Sequence, residues 1–186
     1  MEIKETKLKG VKLLQPRRFS DRRGFFAETY NRRAFKGLGV EVEFVQDNHS
    51  LSAEVGTVRG LHFQAPPRAQ AKLVRCGRGA IFDVAVDIRR GSPTYGKWAG
   101  FTLSAENGAE LYIPAGFAHG FATLEADSEI VYKCSDYYAP EAEGALRWDD
   151  PAIGVEWPII GDAILSDKDA NAPLLADLGS PFEFEG

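Results

Sequence analysis

Residues 110–124 read Glu-Leu-Tyr-Ile-Pro-Ala-Gly-Phe-Ala-His-Gly-Phe-Ala-Thr-Leu. The run from Glu110 to Ile113 is short and rich in strand-forming side chains, and so is the run from His119 to Leu124. Between them, Pro114-Ala115-Gly116 is a turn signal because proline and glycine favour turn geometry over a continuing strand. This stretch therefore predicts two short strands separated by a turn.

The same alternation extends in both directions along the chain. Short runs rich in β-branched and aromatic residues alternate with glycine, proline and asparagine turn signals. The predicted strands around the opening stretch are Glu43–Leu51, Ala71–Arg75, Ala80–Ile88, Lys97–Leu103 and Glu129–Tyr137, with Phe25–Tyr30 and an exposed edge strand in residues 1–20 before them. Many short strands with such turns are typical of an antiparallel sandwich or barrel of the jelly-roll kind.

Helices have a small part in this prediction. Asn31 is placed to cap a short helix that runs through Phe35 and ends at Gly37 and Gly39, and residues 162–178 contain one or two further helical turns. Prolines interrupt the last 50 residues, where Trp148 and Trp157 are expected to anchor the tail. The prediction is an all-β jelly roll with short peripheral helices and a loop-rich C-terminal tail.

Length and charge narrow the function classes. A chain of 186 residues suits one domain spanning 1–186, and we see no linker. The net charge is −5 with no basic tract, so duplex nucleic acid is not expected as a partner. No basic leader precedes an apolar run and no stretch of about 20 apolar residues occurs, which predicts a soluble, cytoplasmic protein without membrane contact.

Val58-Arg59-Gly60-Leu61-His62-Phe63-Gln64 places a histidine between apolar neighbours on a predicted strand. A lone histidine there is most often a packed core residue bonded to the backbone. Four other polar residues on or beside predicted core strands favour a functional role for this histidine, because burying unpaired polar groups there costs free energy. They are Lys72, Asp83, His119 and Tyr132.

A metal site is the first chemical alternative. Gly56-x5-His62 and Gly108-x5-Pro114-x-Gly116-x2-His119 resemble the two halves of the cupin signature, a family with a double-stranded β-helix fold. The metal-binding pattern continues His-x-His and then Glu, whereas Gln64 stands at the second histidine position here. His62 and His119 supply two ligands where a catalytic metal usually has three, so we predict no metal.

Histidine, lysine and tyrosine in one pocket suit the movement of a proton on and off a carbon next to a carbonyl. A base takes the proton, a cation stabilises the enolate oxygen, and an acid returns a proton from the other face, which inverts the carbon. No glycine-rich dinucleotide motif occurs in the chain, so epimerisation without a redox cofactor is predicted.

The order of the motifs resembles one family closely. The chain is similar to the dTDP-4-dehydrorhamnose 3,5-epimerases, metal-free cupin enzymes of nucleotide-sugar biosynthesis. The matching blocks are Arg23–Glu28, Phe44–Ser50, Val58–Gln64, Lys72–Arg75, Asp83–Asp87, Pro114–Phe121, Arg147–Pro151 and Leu165–Asp169. They span nearly the whole chain in the expected order.

This resemblance implies a role for each catalytic candidate. His62 is implied as the base that removes protons from C3 and C5 of a dTDP-linked 4-keto-6-deoxyhexose, with Asp169 orienting it. Lys72 is implied to face the developing oxyanion, and Tyr132 to be the general acid across the sugar. His119 and Asp83 are expected to form a second pair in which Asp83 fixes the tautomer of His119.

The resemblance also implies a homodimer and a substrate-binding set, of which all but His119 lie on the nucleotide side. The set comprises Arg23, Glu28, Gln46, Asn48, Arg59, His119, Glu143 and Lys168. On a regular strand Arg59 and His62 point to opposite faces. A bulge at Gly60, a ligand that wraps over the strand end, or a contribution of Arg23 and Glu28 by a partner subunit would each resolve this conflict.

Two other functions remain open from the sequence alone. The first is epimerisation at only C3 or only C5 of a related nucleotide-linked 4-keto sugar, since fold and motifs do not fix specificity. The second is a non-catalytic or metal-dependent sugar-binding cupin.

Overall fold

The computed structural model describes residues 1–185. Its strands in chain order are β1 (Glu2–Glu5), β2 (Lys12–Gln15), β3 (Arg18–Asp21), β4 (Gly24–Ala27), β5 (Gln46–Ser52), β6 (Val58–Gln64), β7 (Lys72–Arg78), β8 (Ala80–Asp87), β9 (Arg89–Arg90), β10 (Trp98–Ser104), β11 (Glu110–Ile113), β12 (Phe117–Thr123), β13 (Ser128–Cys134), β14 (Glu143–Ala145) and β15 (Phe182–Glu183). The helices are α1 (Arg32–Gly37) and α2 (Asp167–Ala170), with 3-10 turns at Pro140–Ala142 and Leu175–Asp177.

Two antiparallel sheets form the body of the fold. One has the order β1-β2-β11-β7-β13-β5 and the other β10-β8-β12-β6-β14. Apolar side chains from both sheets meet in one core cluster, which includes Val74, Ile81, Leu103, Leu111 and Ile130. This is the cupin-type jelly roll that the sequence predicts.

The outer faces of both sheets are also covered. Val84, Val86 and Ile88 of β8 point away from the interior and pack against the C-terminal tail, including Trp157. Trp157 anchors the tail as predicted, because its ring packs against Phe82 of β8 with the ring centroids 6.2 Å apart. Trp148 contacts Trp157 instead, and its carbonyl accepts from the Trp157 indole nitrogen at 2.8 Å. Around α1, Phe35 and neighbouring apolar residues cover the six-stranded sheet.

The predicted element types are largely confirmed, with errors at the boundaries. The Asn31 side chain caps α1 by accepting from the backbone N–H groups of Arg33 and Ala34. The single edge strand predicted in residues 1–20 is wrong: β1, β2 and β3 occupy it, and β2 lies inside the sheet. Gly10, with φ of 96°, turns the chain between β1 and β2.

Strand β6 contains the bulge that its sequence suggests at Gly60. Across the β6–β12 ladder, His62 pairs with His119 and Arg59 pairs with Phe121, so three steps on β6 match two on β12. A Cβ on Gly60 would lie 2.5 Å from the Gly120 Cα, so only glycine allows the strands this close. The extra residue reverses the parity and turns Arg59 and His62 toward the same cavity.

Within residues 1–185, the structure has no helix that is both long and apolar enough to cross a membrane.

Candidate active site

The interior between the two sheets opens into a cavity of about 490 Å³. Strands β6 and β12 of the five-stranded sheet contribute His62 and His119 to its wall. Strands β7 and β13 of the six-stranded sheet contribute Lys72 and Tyr132. A second cavity of about 450 Å³ shares His62, Lys72 and Tyr132, so the two spaces meet at these three side chains.

His62 is paired with Asp169, as the sequence resemblance implies. Its Nε2 lies 2.5 Å from Asp169 Oδ1, although the residues are 107 positions apart in the chain. A carboxylate oxygen only accepts, so Nε2 is the donor in this contact. The His62 side chain is 29% exposed and that of Asp169 is 5% exposed, which leaves the imidazole open to the cavity.

The surroundings of Asp169 favour its ionised form. Burial acts to raise the pKa of Asp169, but hydrogen bonds from His62, from the Ser166 side chain and from the Gly60 backbone, with the His62 charge, hold that pKa below its usual value. An anionic partner stabilises the imidazolium that forms when His62 takes a proton.

A second histidine–aspartate pair lies beside the first. His119 Nε2 is 2.8 Å from Asp83 Oδ1, and both residues are buried. The pairing of His119 with Asp83 is therefore present, and Nε2 is the donor in it because a carboxylate oxygen only accepts. Burial lowers the pKa of His119 although the Asp83 charge acts in the opposite direction, so His119 remains neutral near pH 7.

Burial shifts the pKa values of Lys72 and Tyr132 in opposite directions. Burial lowers the pKa of the Lys72 ammonium, while the negative charges of Asp83 and Glu143 oppose that change. Burial raises the pKa of the Tyr132 hydroxyl, which keeps the phenol protonated at neutral pH. The cavity therefore combines a buried lysine, whose charged form is favoured by Asp83 and Glu143, with a phenol that retains its proton.

Polar residues of the predicted nucleotide set surround the two cavities. The Arg59 guanidinium donates to Ser52 Oγ at 3.1 Å and to the Leu51 carbonyl at 3.2 Å, which fixes it on the wall of the first cavity. Gln46 and Asn48 line the second cavity and are joined by a 3.0 Å hydrogen bond.

Glu143 and Lys168 form an ion pair at the edge of the same space. Lys168 Nζ lies 2.5 Å from Glu143 Oε1, and the Tyr138 hydroxyl donates to the other carboxylate oxygen at 3.2 Å. Burial tends to raise the pKa of Glu143, but the Lys168 hydrogen bond and charge, with the Tyr138 hydrogen bond, lower it overall. Glu143 lines one cavity and Lys168 the other, so the pair connects their rims.

Gln64, which stands where a metal-binding cupin has its second histidine, is fully engaged in loop contacts. Its Nε2 donates to the carbonyls of Arg68 and Tyr137, and its Oε1 accepts from the Ala139 backbone N–H. Across residues 1–185 no cluster of three histidine, cysteine or acidic side chains is arranged to hold a metal ion.

Arg23 and Glu28 lie away from both cavities of their own protomer. Arg23 is at the tip of the β3–β4 hairpin, where its side chain is 83% exposed and paired with Asp21. Glu28 follows this hairpin and accepts from Asn31. The hairpin also exposes the large apolar rings of Phe19, Phe25 and Phe26.

Sequence reasoning did not single out three residues that line the first cavity, namely Ser50, Phe121 and Ser166. Ser50 Oγ is buried without a hydrogen-bond partner among the described residues. Its alternation with Gln46 and Asn48 on β5 was a usable signal, since the three share one face. Ser166-x-x-Asp169 is a local N-cap pattern, but the place of Ser166 on the cavity wall depends on where α2 packs against the barrel.

The chain matches known proteins over nearly all of its length. A sequence profile described as dTDP-4-dehydrorhamnose 3,5-epimerase matches residues 5–177. Proteins of that name from Sinorhizobium fredii and Salmonella typhimurium are 56% and 54% identical over 94% of this chain, covering 89% and 96% of their own lengths. A crystal structure of dTDP-6-deoxy-D-glucose-3,5-epimerase from Legionella pneumophila in complex with dTDP-4-keto-L-rhamnose superposes with a TM-score of 0.95 at 42% identity, covering 100% of this chain and 99% of the other.

Proposed function

Because this chain belongs to the dTDP-4-dehydrorhamnose 3,5-epimerase family, we propose that its cavity inverts C3 and C5 of a dTDP-linked 4-keto-6-deoxyhexose, with His62 as base and Tyr132 as acid. One observation carries this assignment. His62 belongs to one sheet and Tyr132 to the facing sheet, so a sugar between them presents opposite ring faces to the two groups. Removal of a proton on one face and return on the other inverts the carbon.

The base step begins at the unprotonated nitrogen of His62. Nδ1 takes the proton from the carbon next to the C4 ketone, and the electron pair of the broken C–H bond forms the enolate with its charge on the ketone oxygen. Asp169, held at Nε2, stabilises the resulting imidazolium. A general base of this kind contributes about 10²–10⁴-fold to a rate.

Lys72 stabilises the enolate oxygen. Its ammonium borders both cavities and is removed from bulk water, which strengthens its attraction for a developing anion. C3 and C5 both flank C4, so one cation serves both enolates. No redox cofactor enters this sequence of steps, because the electron pair returns to the carbon that lost the proton.

Tyr132 completes each inversion. Its hydroxyl gives a proton to the enolate carbon from the side opposite His62, and the raised pKa caused by burial keeps that proton available at neutral pH. The imidazolium of His62 and the phenolate of Tyr132 then recover their resting protonation through water.

The nucleotide lies along the polar rim. Arg59 is held by Ser52 and Leu51 with its guanidinium on the cavity wall, where it suits a phosphate oxygen. Gln46 and Asn48 offer amide donors and acceptors that match the thymine edge. His119, Glu143 and Lys168 complete the contacts to the substrate, with Asp83 supporting His119.

A second copy of the chain supplies Arg23 and Glu28. These residues do not reach the cavities of their own protomer, and the hairpin that carries Arg23 exposes three phenylalanine rings. Exposed aromatic rings on a hairpin are typical of a surface that becomes buried against another subunit. We therefore propose a homodimer in which the hairpin of one protomer closes the site of its partner.

Mixing two inactive variants tests this dimer. Arg23→Ala and His62→Ala protomers, unfolded and refolded together, form mixed dimers with one intact site and one doubly defective site. With random pairing about a quarter of all sites recover activity. Activity that stays absent from the mixture, while each variant folds and dimerises, contradicts a shared site.

Solvent deuterium tests the reaction itself. When the protein is incubated with the dTDP-4-keto-6-deoxyhexose in D₂O, deuterium should enter at both C3 and C5, and His62→Ala should abolish the exchange while binding thymidine diphosphate normally. Exchange at one carbon only identifies a single-site epimerase. Exchange at neither carbon, by a folded protein that binds the nucleotide, refutes the proposal.

The single cupin domain over residues 1–186 stays a prediction, and Gly186 lies outside the described residues. A cytoplasmic location also stays a prediction.

A further inference from the structure

Helix α2, which carries Asp169, is too short to hold its own shape. It contains only the four residues Asp167–Ala170, and isolated helices of this length are unstable because nucleation costs more than a single turn returns. Its geometry therefore depends on contacts from outside the helix. Ser166 is its N-cap, with an extended backbone and a side chain that accepts from the Asp169 backbone N–H at 3.2 Å.

Backbone hydrogen bonds fix the chain before and after α2, whereas side chains hold Asp169 within it. Before the helix, Ile164 forms a parallel bridge with Thr57. Its carbonyl accepts from the Val58 N–H at 2.9 Å, and its N–H donates to the Gly56 carbonyl at 3.0 Å. After the helix, the Arg147 N–H donates to the Pro173 carbonyl at 2.9 Å. Between these ties, two side chains within residues 1–185 bond to Asp169, those of His62 and Ser166.

The Ser166 hydroxyl holds the backbone of Asp169 at the start of α2. Its oxygen accepts the Asp169 backbone N–H at 3.2 Å. The same side chain is among the groups that lower the pKa of Asp169 and so favour its ionised form. Ser166 therefore constrains the residue whose carboxylate bonds to His62.

We propose that Ser166 is a positioning residue for the epimerisation: it orients Asp169 so that the carboxylate accepts the Nε2 hydrogen of His62. This inference rests on the proposed role of His62 as the base. Ser166 takes no proton from the substrate and gives none to it. Its effect passes through Asp169 to the imidazole.

Ser166→Ala tests the proposal. Loss of an N-cap serine weakens a helix start by an amount that corresponds to roughly a fivefold to tenfold change. We expect kcat for deuterium exchange at C3 and C5 to fall about tenfold with KM nearly unchanged, because the substrate contacts remain. Ser166→Thr keeps the hydroxyl and should restore most of kcat.

A matched control comes from the other end of the same helix. Asn171 Nδ2 donates to the Asp167 carbonyl at 2.7 Å, so Asn171→Ala also removes a side-chain cap but leaves Asp169 untouched. It should change kcat by less than about twofold. An equal loss in Asn171→Ala and Ser166→Ala would show that α2 needs general stability, and would overturn the specific role of Ser166.

Proton NMR provides a readout that does not need turnover. The Nε2 hydrogen of His62, in its 2.5 Å hydrogen bond to Asp169, should give a strongly downfield resonance in the wild type. That resonance should shift upfield or broaden in Ser166→Ala and return in Ser166→Thr. An unchanged resonance and unchanged kcat refute the proposal, and a raised KM with unchanged kcat identifies Ser166 as a substrate contact instead. Wild-type protein without exchange counts against the proposed function alone.

Discussion

Two histidine–aspartate pairs stand side by side in one cavity, and they differ in burial. The His62 side chain is 29% exposed beside Asp169, whereas the His119 side chain is 9% exposed beside Asp83. Water and polar groups stabilise a charged imidazole, and burial opposes it. Of the two histidines, the one that we propose as the base is therefore the more exposed, and burial favours the neutral form of the other.

The two pairs are also built differently. His119 and Asp83 come from adjacent strands β12 and β8 of one sheet, so the sheet itself sets their distance. His62 comes from β6, but Asp169 comes from the tail helix α2. The pair that we propose as catalytic therefore depends on how the C-terminal tail folds over the barrel.

The largest effect on kcat should follow from removing the charge of Asp169, the partner of His62. Asp169→Asn keeps the size of the side chain but removes the anion that stabilises the His62 imidazolium. We expect kcat to fall by about 10²–10³-fold, within the range that a general base contributes. Single-turnover measurement of deuterium exchange, with circular dichroism to confirm folding, checks this prediction.

The buried pair provides the contrast. Asp83→Asn should reduce kcat much less than Asp169→Asn at neutral pH, because His119 is not the proton carrier. If the two substitutions lower kcat equally, the distinction between a catalytic pair and a supporting pair is wrong.

Asp83 should instead influence the pH profile through Lys72. Burial lowers the pKa of Lys72, and the Asp83 charge opposes that change. Removal of the charge in Asp83→Asn lowers the pKa of Lys72 further, so the ammonium is lost at lower pH. The alkaline limb of the kcat–pH profile should therefore move toward lower pH, and a limb that stays in place would contradict an electrostatic link between Asp83 and Lys72.

Sequence reasoning located the strands because their turns are local. Pro114-Ala115-Gly116 lies between β11 and β12 as predicted, and Asn31 caps α1. Strand boundaries are harder to predict. The strand predicted over Phe25–Tyr30 ends at Ala27, because Tyr30 leaves the hairpin and packs on Phe35 and Phe44. Such tertiary packing is invisible in a local pattern.

Contacts of long sequence separation were accessible only through family resemblance. Nothing local to His62 or Asp169 indicates that they meet, and the resemblance supplied that pairing. The bulge at Gly60 had a local signal, a glycine at the point where strand parity fails, but its outcome needed the approach of Gly120 on the neighbouring strand. Ser50 and Ser166 each have a local signal, the alternation along β5 and the N-cap of α2, but only the fold shows that both line the same cavity.

Glu110 is a buried carboxylate without a histidine partner, so it shows the effect of burial alone on the pKa of an acidic group. Glu110 is 1% exposed and its Oε2 has no partner among the described residues. Burial raises its pKa from 4.5 to about 8, although Arg75 and Lys133 oppose the change. The folded protein thus holds a proton that the unfolded chain releases above pH 4.5.

Glu110 therefore stabilises the fold fully below pH 4.5, and the contribution is lost as the pH rises to about 8. Within that window the free energy of unfolding should fall by at most about 1.4 kcal/mol per pH unit from this group. Glu110→Gln, a neutral side chain of the same shape, should flatten that decline in urea titrations between these pH values. An unchanged slope would mean that Glu110 is already ionised in the folded protein.

The smallest effect should come from the remaining histidine, which has an acidic partner but little burial. His49 Nε2 lies 3.1 Å from Glu129 Oε2, yet the His49 side chain is 59% exposed. Exposed ion pairs contribute about 0–1 kcal/mol because water and salt screen them. His49→Ala should therefore change the free energy of unfolding by less than about 0.5 kcal/mol and kcat by less than about twofold. Thermal denaturation and deuterium exchange measure both quantities, and a larger loss of kcat would show that pairing with a carboxylate, rather than access to the cavity, decides which histidine matters.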